Sequence, residues 1–212
     1  KAQLQSAQRG DVPAEQAFEE IGATVDRATR LANQMLALAK VEQLRQEDSA
    51  EPASPAPSLL DEVVRDVAIE LSPLIAEQDI DFSIDTEPCP VPAHEWMLRE
   101  LTRNLLHNAV KHTPAGAPLA LRLRADGRHA TLTVSDSGPG ISPALRERLF
   151  QPFATDHRAA PSSAGSGLGL AICREIVQSL GGQIDLTNRH ADGRIVGLDA
   201  TVRLPLHTAP AT

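Results

Sequence analysis

The sequence predicts an α+β protein: an α/β sandwich with one mixed sheet and helices on one of its faces, preceded by a long bundle-forming helix. Three observations predict it. A heptad seam runs through the N-terminal quarter and stops at a proline-rich stretch. Beyond that stretch, helical periodicities and period-2 strands alternate irregularly. Two of those strands flank Asp126-Gly127, a hairpin signal, so neighbouring strands include antiparallel ones.

In chain order, Pro13 to Leu44 reads as one helix, because Phe18, Ile21, Val25, Ala28, Ala32, Met35 and Ala39 recur at alternating spacings of 3 and 4. Leu31 and Leu38 widen the seam beyond a two-stranded stripe, as a four-helix bundle requires. Gly10-Asp11-Val12-Pro13 suits a turn from an earlier helix of which Lys1 to Arg9 survives. Residues 1–50 are therefore expected to be part of a helical hairpin that dimerises into four helices, since one such helix cannot bury this face alone. Pro52, Pro55 and Pro57 exclude helix and make 51–58 an extended linker. A second domain is expected over 59–207, with 208–212 as a disordered tail. Within it, Leu59 to Glu77 is an amphipathic helix, Ile80 to Ile84 a strand, and His94 to His112 a helix. Leu119 to Arg124 and Ala130 to Ser135 are paired strands. Ser166 to Leu180 is a helix closed by Gly181-Gly182, and Gln183 to Thr187 with Leu198 to Leu204 complete the sheet.

Composition narrows the function. A net charge of -8 and 2% aromatics disfavour a nucleic-acid surface, which needs basic faces and stacking rings. Cys89 and Cys173 lie far apart without metal-ligand spacing, which fits reduced thiols. No apolar run reaches the roughly 18 residues needed to cross a bilayer. This stretch is thus expected to be soluble, without membrane contact of its own, and its start at Lys1 rather than Met suggests residues removed upstream.

The helix around residue 104 carries the chemistry. Asn104, Asn108, Lys111 and His112 share one broad stripe, beside an apolar stripe of Leu98, Leu101, Leu105 and Ala109. Amides plus a lysine next to a packed face suit a polar, anionic ligand such as a nucleotide with its metal. Asp136-Ser-Gly138-Pro-Gly140-Ile141 directly follows a strand. An acceptor-only carboxylate there suits the exocyclic amine of adenine and repels the carbonyl of guanine, although a plain turn with a capping Asp has the same pattern. Gly165-Ser166-Gly167-Leu168-Gly169 opens a helix, so its amides can meet phosphate oxygens, or it is a flexible connection. It is neither a dinucleotide fingerprint nor a Walker loop.

In order, the asparagine helix, the Asp136 turn, Leu149-Phe150-Gln-Pro-Phe153 and the Gly165 to Gly169 loop closely resemble the boxes of the GHKL (Bergerat) superfamily. Within it the chain resembles the ATP-binding domain of a bacterial two-component sensor histidine kinase. Ala17 to Leu44 resembles the second helix of that family's dimerisation and phosphotransfer hairpin. The resemblance implies that Asn108 gives its side-chain oxygen to Mg²⁺, a hard cation that otherwise keeps waters and phosphate oxygens. It places Asn104 beside the phosphates, Lys111 as their neutralising charge, and His112 against sugar or base. It makes Asp136 the acceptor for the adenine amine, with Gly138, Gly140 and Ile141 in close approach. Phe150 and Phe153 would anchor a lid running to about Ser166, and Gly165, Ser166, Gly167, Leu168 and Gly169 would close on the phosphates.

The superfamily's ATPases hydrolyse ATP with a glutamate one turn before the metal asparagine; here that position is Asn104, which cannot take a proton from water. Transfer to another acceptor is favoured, with Asn104 and Lys111 as the catalytic residues. The family's acceptor is a histidine on the first hairpin helix, whereas the histidines here are His94, His107, His112, His129, His157, His190 and His207. The chain is therefore expected to bind ATP and Mg²⁺ without phosphorylating itself. Implied partners are a second copy through the hairpin and a cognate response regulator whose aspartate receives the phosphoryl group. The implied location is the cytoplasmic side of a parent anchored in the bacterial inner membrane. The alternatives are a GHKL-type ATPase and a nucleotide-binding interaction module without kinase activity.

Overall fold

The computed structural model describes residues 18, 22, 25, 28–29, 31–37, 39–41, 43, 56–154 and 167–207. The elements are β1 (Ser58–Leu59), α1 (Leu60–Glu77), β2 (Asp81–Thr86), β3 (Pro90–Val91), α2 (Glu95–His112), β4 (Pro118–Ala125), β5 (His129–Asp136), α3 (Pro143–Arg146), α4 (Gly169–Ser179), β6 (Gln183–Ala191) and β7 (Arg194–Pro205). The described N-terminal residues are helical, as the heptads predict; the rest of 1–50, most of the linker and all of 208–212 lie outside the described residues.

The main sheet has five strands in the order β2-β4-β5-β7-β6. β2 runs parallel to β4 and every other pairing is antiparallel, so the sheet is mixed, as predicted. Its buried face is built by strand alternation: Leu119, Leu121 and Leu123 of β4, Ala130, Leu132 and Val134 of β5, and Ala200, Val202 and Leu204 of β7 all point into the core. α1, α2 and α4 cover that face, α2 centrally, with Leu98, Leu101, Leu105 and Ala109 buried. Full burial of each such leucine contributes about 1.5–3 kcal/mol, which fixes α2 against the sheet.

α1 runs through Pro73, which removes the donor to the Ile69 carbonyl. Ser72 Oγ donates to that carbonyl at 2.8 Å instead, and the helix continues. Several predicted boundaries change. β6 and β7 extend well beyond the expected Thr187 and Leu198, because Asp192 (φ 51) and Gly193 (φ 73) form a tight two-residue hairpin turn. α4 begins at Gly169 rather than Ser166 and ends at Ser179. Unpredicted elements are the short β1–β3 pair and the one-turn α3, capped by Ser142 Oγ accepting from Leu145 N at 3.3 Å.

Candidate functional site

α2 forms the floor of the site. Its leucine stripe is anchored in the core, so the adjoining residues Asn104, Asn108, Lys111 and His112 are carried along one edge of the helix. Asn108 and His112 lie one turn apart, about 6 Å along the axis.

Asp136, the last residue of β5, stands near the His112 end. It is buried, with 6% of its surface exposed. Its Oδ1 accepts from Gly138 N at 2.8 Å and from Leu198 N at 3.2 Å. Its Oδ2 takes no hydrogen bond among the described residues. One carboxylate oxygen is therefore spent on orienting the side chain, and the other is an acceptor for which the described residues provide no donor. Burial pushes this carboxyl above the usual carboxylate range, against the two backbone amides and the nearby His112 and Arg189, which favour the charged form. The Gly138 backbone passes so close to α2 that a Cβ there would meet the His112 carbonyl oxygen at 2.8 Å. The turn is thus laid directly on the C-terminal end of α2. His112 is exposed as a residue, yet desolvation of its ring, followed by Lys111, lowers its pKa, while Asp136 opposes. Ile141, at the far end of the turn, is buried. Gly140 passes beneath Asn188, with 2.7 Å from the place of a Cβ to Asn188 Oδ1.

The N-terminus of α4 closes on the other part of the floor. A Cβ at Gly169 would lie 3.1 Å from Asn104 Oδ1 and 3.7 Å from Asn108 Nδ2, so a glycine there lets the first turn of α4 reach both amides. Leu168 is buried behind it. Phe153 N donates to Gly167 O at 3.0 Å, which brings together the two ends of the segment expected to be a lid. Phe150 packs against the core with Arg174 over its ring at 5.6 Å, whereas Phe153 is exposed. Gly165 and Ser166 lie outside the described residues.

Asn104 is more enclosed than the amide stripe predicts. Its Nδ2 donates to Glu100 O and Glu100 Oε1, both at 2.9 Å, and its Oδ1 accepts from Gln34 Nε2 at 3.2 Å. Gln34, on the N-terminal helix, was not singled out by the sequence, because a lone glutamine on a heptad helix carries no distinguishing pattern. Nor were Asn188 and Arg189. In the assembled β6, Asn188 shares the inward parity of Ile184 and Leu186, but the polar run after Thr187 reads as loop in the sequence, so no local pattern marks the pair.

Magnesium fits the donor set in one respect. Asn108 offers a neutral oxygen-bearing amide at the mouth of a helix N-terminus, and a hard cation satisfied mainly by water and phosphate oxygens needs little more from protein. Among the described residues there is no cluster of three or more histidine, cysteine, aspartate or glutamate side chains that could hold a metal alone.

Residues 93–208 match the family model described as histidine kinase-, DNA gyrase B-, and HSP90-like ATPase. The chain is 31% identical over 193 residues to the sensor protein kinase PmrB of Pseudomonas aeruginosa, covering 91% of this chain and 39% of that protein. It is 32% identical over 193 residues to the probable sensor histidine kinase TcrY of Mycobacterium tuberculosis, covering 90% and 38%. The chain thus spans about two fifths of the length of these curated relatives. Among solved structures, the mycobacterial sensor histidine kinase MprB superimposes with a TM-score of 0.63 at 30% identity, over 72% of this chain and 99% of that one.

Proposed function

The chain belongs to the histidine kinase-, DNA gyrase B-, and HSP90-like ATPase family, and on that premise we propose that it is the catalytic core of a sensor histidine kinase. Its domain is an ATP-binding one. The finer reading is that it binds Mg-ATP and passes the γ-phosphate to a histidine outside this sequence, for relay to an aspartate of a response regulator. The observation that supports it best is the divided carboxylate of Asp136, with one oxygen fixed by backbone amides and the other without a hydrogen bond among the described residues.

In this reading Asp136 Oδ2 accepts the exocyclic amine of adenine, and His112 lies against the sugar or base. Lys111 and the amides at the start of α4 face the phosphates, where the helix N-terminus adds its own partial positive charge. Asn108 Oδ1 would hold Mg²⁺, which when bound neutralises phosphate charge and orients the transferring group. Asn104, tied to Glu100 and Gln34, lies next to the phosphates and offers no base to a water molecule. Gly169 lets the start of α4 approach both amides, and Gly167 with Phe153 joins the ends of the lid. The domain needs no nucleophile of its own, because positioning and charge stabilisation supply the catalysis. Dimerisation through the N-terminal helix fits Phe18, Val25, Met35 and Leu36, which are exposed in the single chain. In this reading the parent sits in a membrane with this part on its cytoplasmic side; no described helix is long and apolar enough to cross one.

Two measurements test the reading. Calorimetric titration with ATP, with and without Mg²⁺, should show tighter binding with the metal, and Asn108→Ala should remove that difference, lowering affinity about tenfold or more. With labelled Mg-ATP and a separate helical hairpin bearing an acceptor histidine, acid-labile phosphate should appear on the hairpin and none on this chain. Metal-independent binding, or steady phosphate release without an acceptor, contradicts it.

A further inference from the structure

We propose that Asn188 and Arg189, neighbours on β6, are positioning residues for purine selection: they clamp both ends of the Asp136–Ile141 turn and so set the direction of the Asp136 acceptor oxygen. This rests on the reading of Asp136 as the base-recognising group.

Arg189 holds the first end. Its Nη2 donates to the Asp136 carbonyl oxygen, and its Nε lies 3.1 Å from Asp199 Oδ1, an ion pair without hydrogen-bond geometry that keeps the guanidinium charge compensated. The contact crosses a whole strand, since β6 pairs with β7 and β7 with β5. Arg189 reaches across β7 at its register partner Gly197. There a Cβ would collide with the Asp136 carbonyl oxygen and lie 2.5 Å from Arg189 Nη2. Gly197 also adopts φ +156, a conformation that side chains rarely take. The arginine, the glycine and the carbonyl form one interlocked crossing.

Asn188 holds the second end. Its Oδ1 accepts from Ile141 N at 2.8 Å and its Nδ2 donates to Ile141 O at 2.8 Å. This pair of bonds ties the loop to the sheet as a strand neighbour would, at a residue that belongs to no strand. The register of β6 shifts between Arg189 and His190, immediately after the two residues, which is where bulges re-aim side chains. A turn fixed at one end could pivot about the other. Fixed at both, it presents Oδ2 along one line, and a directional acceptor discriminates by geometry as well as by charge.

The test compares two ligands, Mg-ATP and the Mg complex of purine riboside triphosphate, which lacks the exocyclic amine. Affinities are measured by calorimetry on the intact chain, with circular dichroism to confirm folding. The wild type should prefer ATP by about tenfold or more. Asn188→Ala and Arg189→Ala should each weaken ATP by about tenfold and leave the amine-free nucleotide nearly unchanged, collapsing the preference. Arg189→Lys, which keeps a cationic donor, should restore part of it. In an Asp136→Ala background neither substitution should have a further effect on ATP. If Arg189→Ala and Asn188→Ala keep the preference, or weaken both nucleotides equally, the positioning role is wrong. If Asp136→Ala itself keeps the preference, the reading beneath it is wrong.

Discussion

Asp136→Asn separates the two roles that the structure gives one carboxylate. The substitution keeps an oxygen able to accept from Gly138 N and Leu198 N, at 2.8 and 3.2 Å in the parent, so the turn should retain its shape. At Oδ2 it replaces an acceptor with a donor, which faces the donor amine of adenine. Losing a charge-assisted hydrogen bond and opposing the amine with a donor together cost about 1.5–3 kcal/mol, so Mg-ATP affinity should fall roughly ten- to hundredfold or more. Stability should move differently. Burial raises the folded-state pKa of Asp136 above its ordinary value of 3.8, so the native state binds more protons than the unfolded chain in the window above 3.8. This group's contribution to stability is therefore most favourable below 3.8 and declines as pH rises through the folded pKa, leaving the full burial cost at neutrality. Asparagine carries no such cost. Titration calorimetry and thermal melts across the acidic range read both effects. The variant should bind ATP weakly while losing that part of the pH slope, and its melting temperature at neutral pH should equal or exceed the parent's. Unchanged ATP affinity would refute the assignment of Oδ2, and a variant that unfolds at neutral pH would refute the account of Oδ1.

Two other outcomes follow from the same packing. Gly197→Ala should cost about 2–5 kcal/mol in urea unfolding, combining backbone strain with loss of the Arg189 contact to the Asp136 carbonyl; wild-type stability would show that the crossing tolerates a side chain. Cys89 and Cys173 are both fully buried, the first thiol pushed up to about 11 by burial and then by Asp61 and Glu87, the second higher still by burial and then Glu100. Iodoacetamide at mildly alkaline pH should label neither in the native chain and both after denaturation, and rapid native labelling of either contradicts their burial.

What the sequence announces is what local chemistry decides. The α2 stripes are legible because period 3.6 sorts leucines from amides within one helix, and the β4–β5 hairpin because Asp126-Gly127 sits between alternating runs. The Asp136 turn is legible because a carboxylate and two glycines follow a strand directly. The β1–β3 pair escapes notice because two-residue strands exist only through the distant pairing of Ser58 with Val91. β6 was expected to stop at Thr187 because the polar residues after it read as loop, yet Asn188 and Arg189 remain in register with β7 as far as Gly197. Their partners lie 47 and 53 residues away in sequence, beyond any local window. The enclosure of Asn104 by Gln34 has the same origin, a bond across 70 residues. The ligand-facing residues are readable from type and spacing, whereas the residues that aim them become visible only once the sheet is assembled.

In this reading one ligand spans the carboxylate turn and the amide floor. The most direct measurement is a heteronuclear NMR titration of the chain with Mg-ATP, following the side-chain amide of Asn108 and the backbone amides of Gly138 and Gly169. All three should shift along one common saturation curve. Movement of Gly138 without Asn108 and Gly169, or saturation at separate concentrations, would mean that the turn and the floor do not share a ligand.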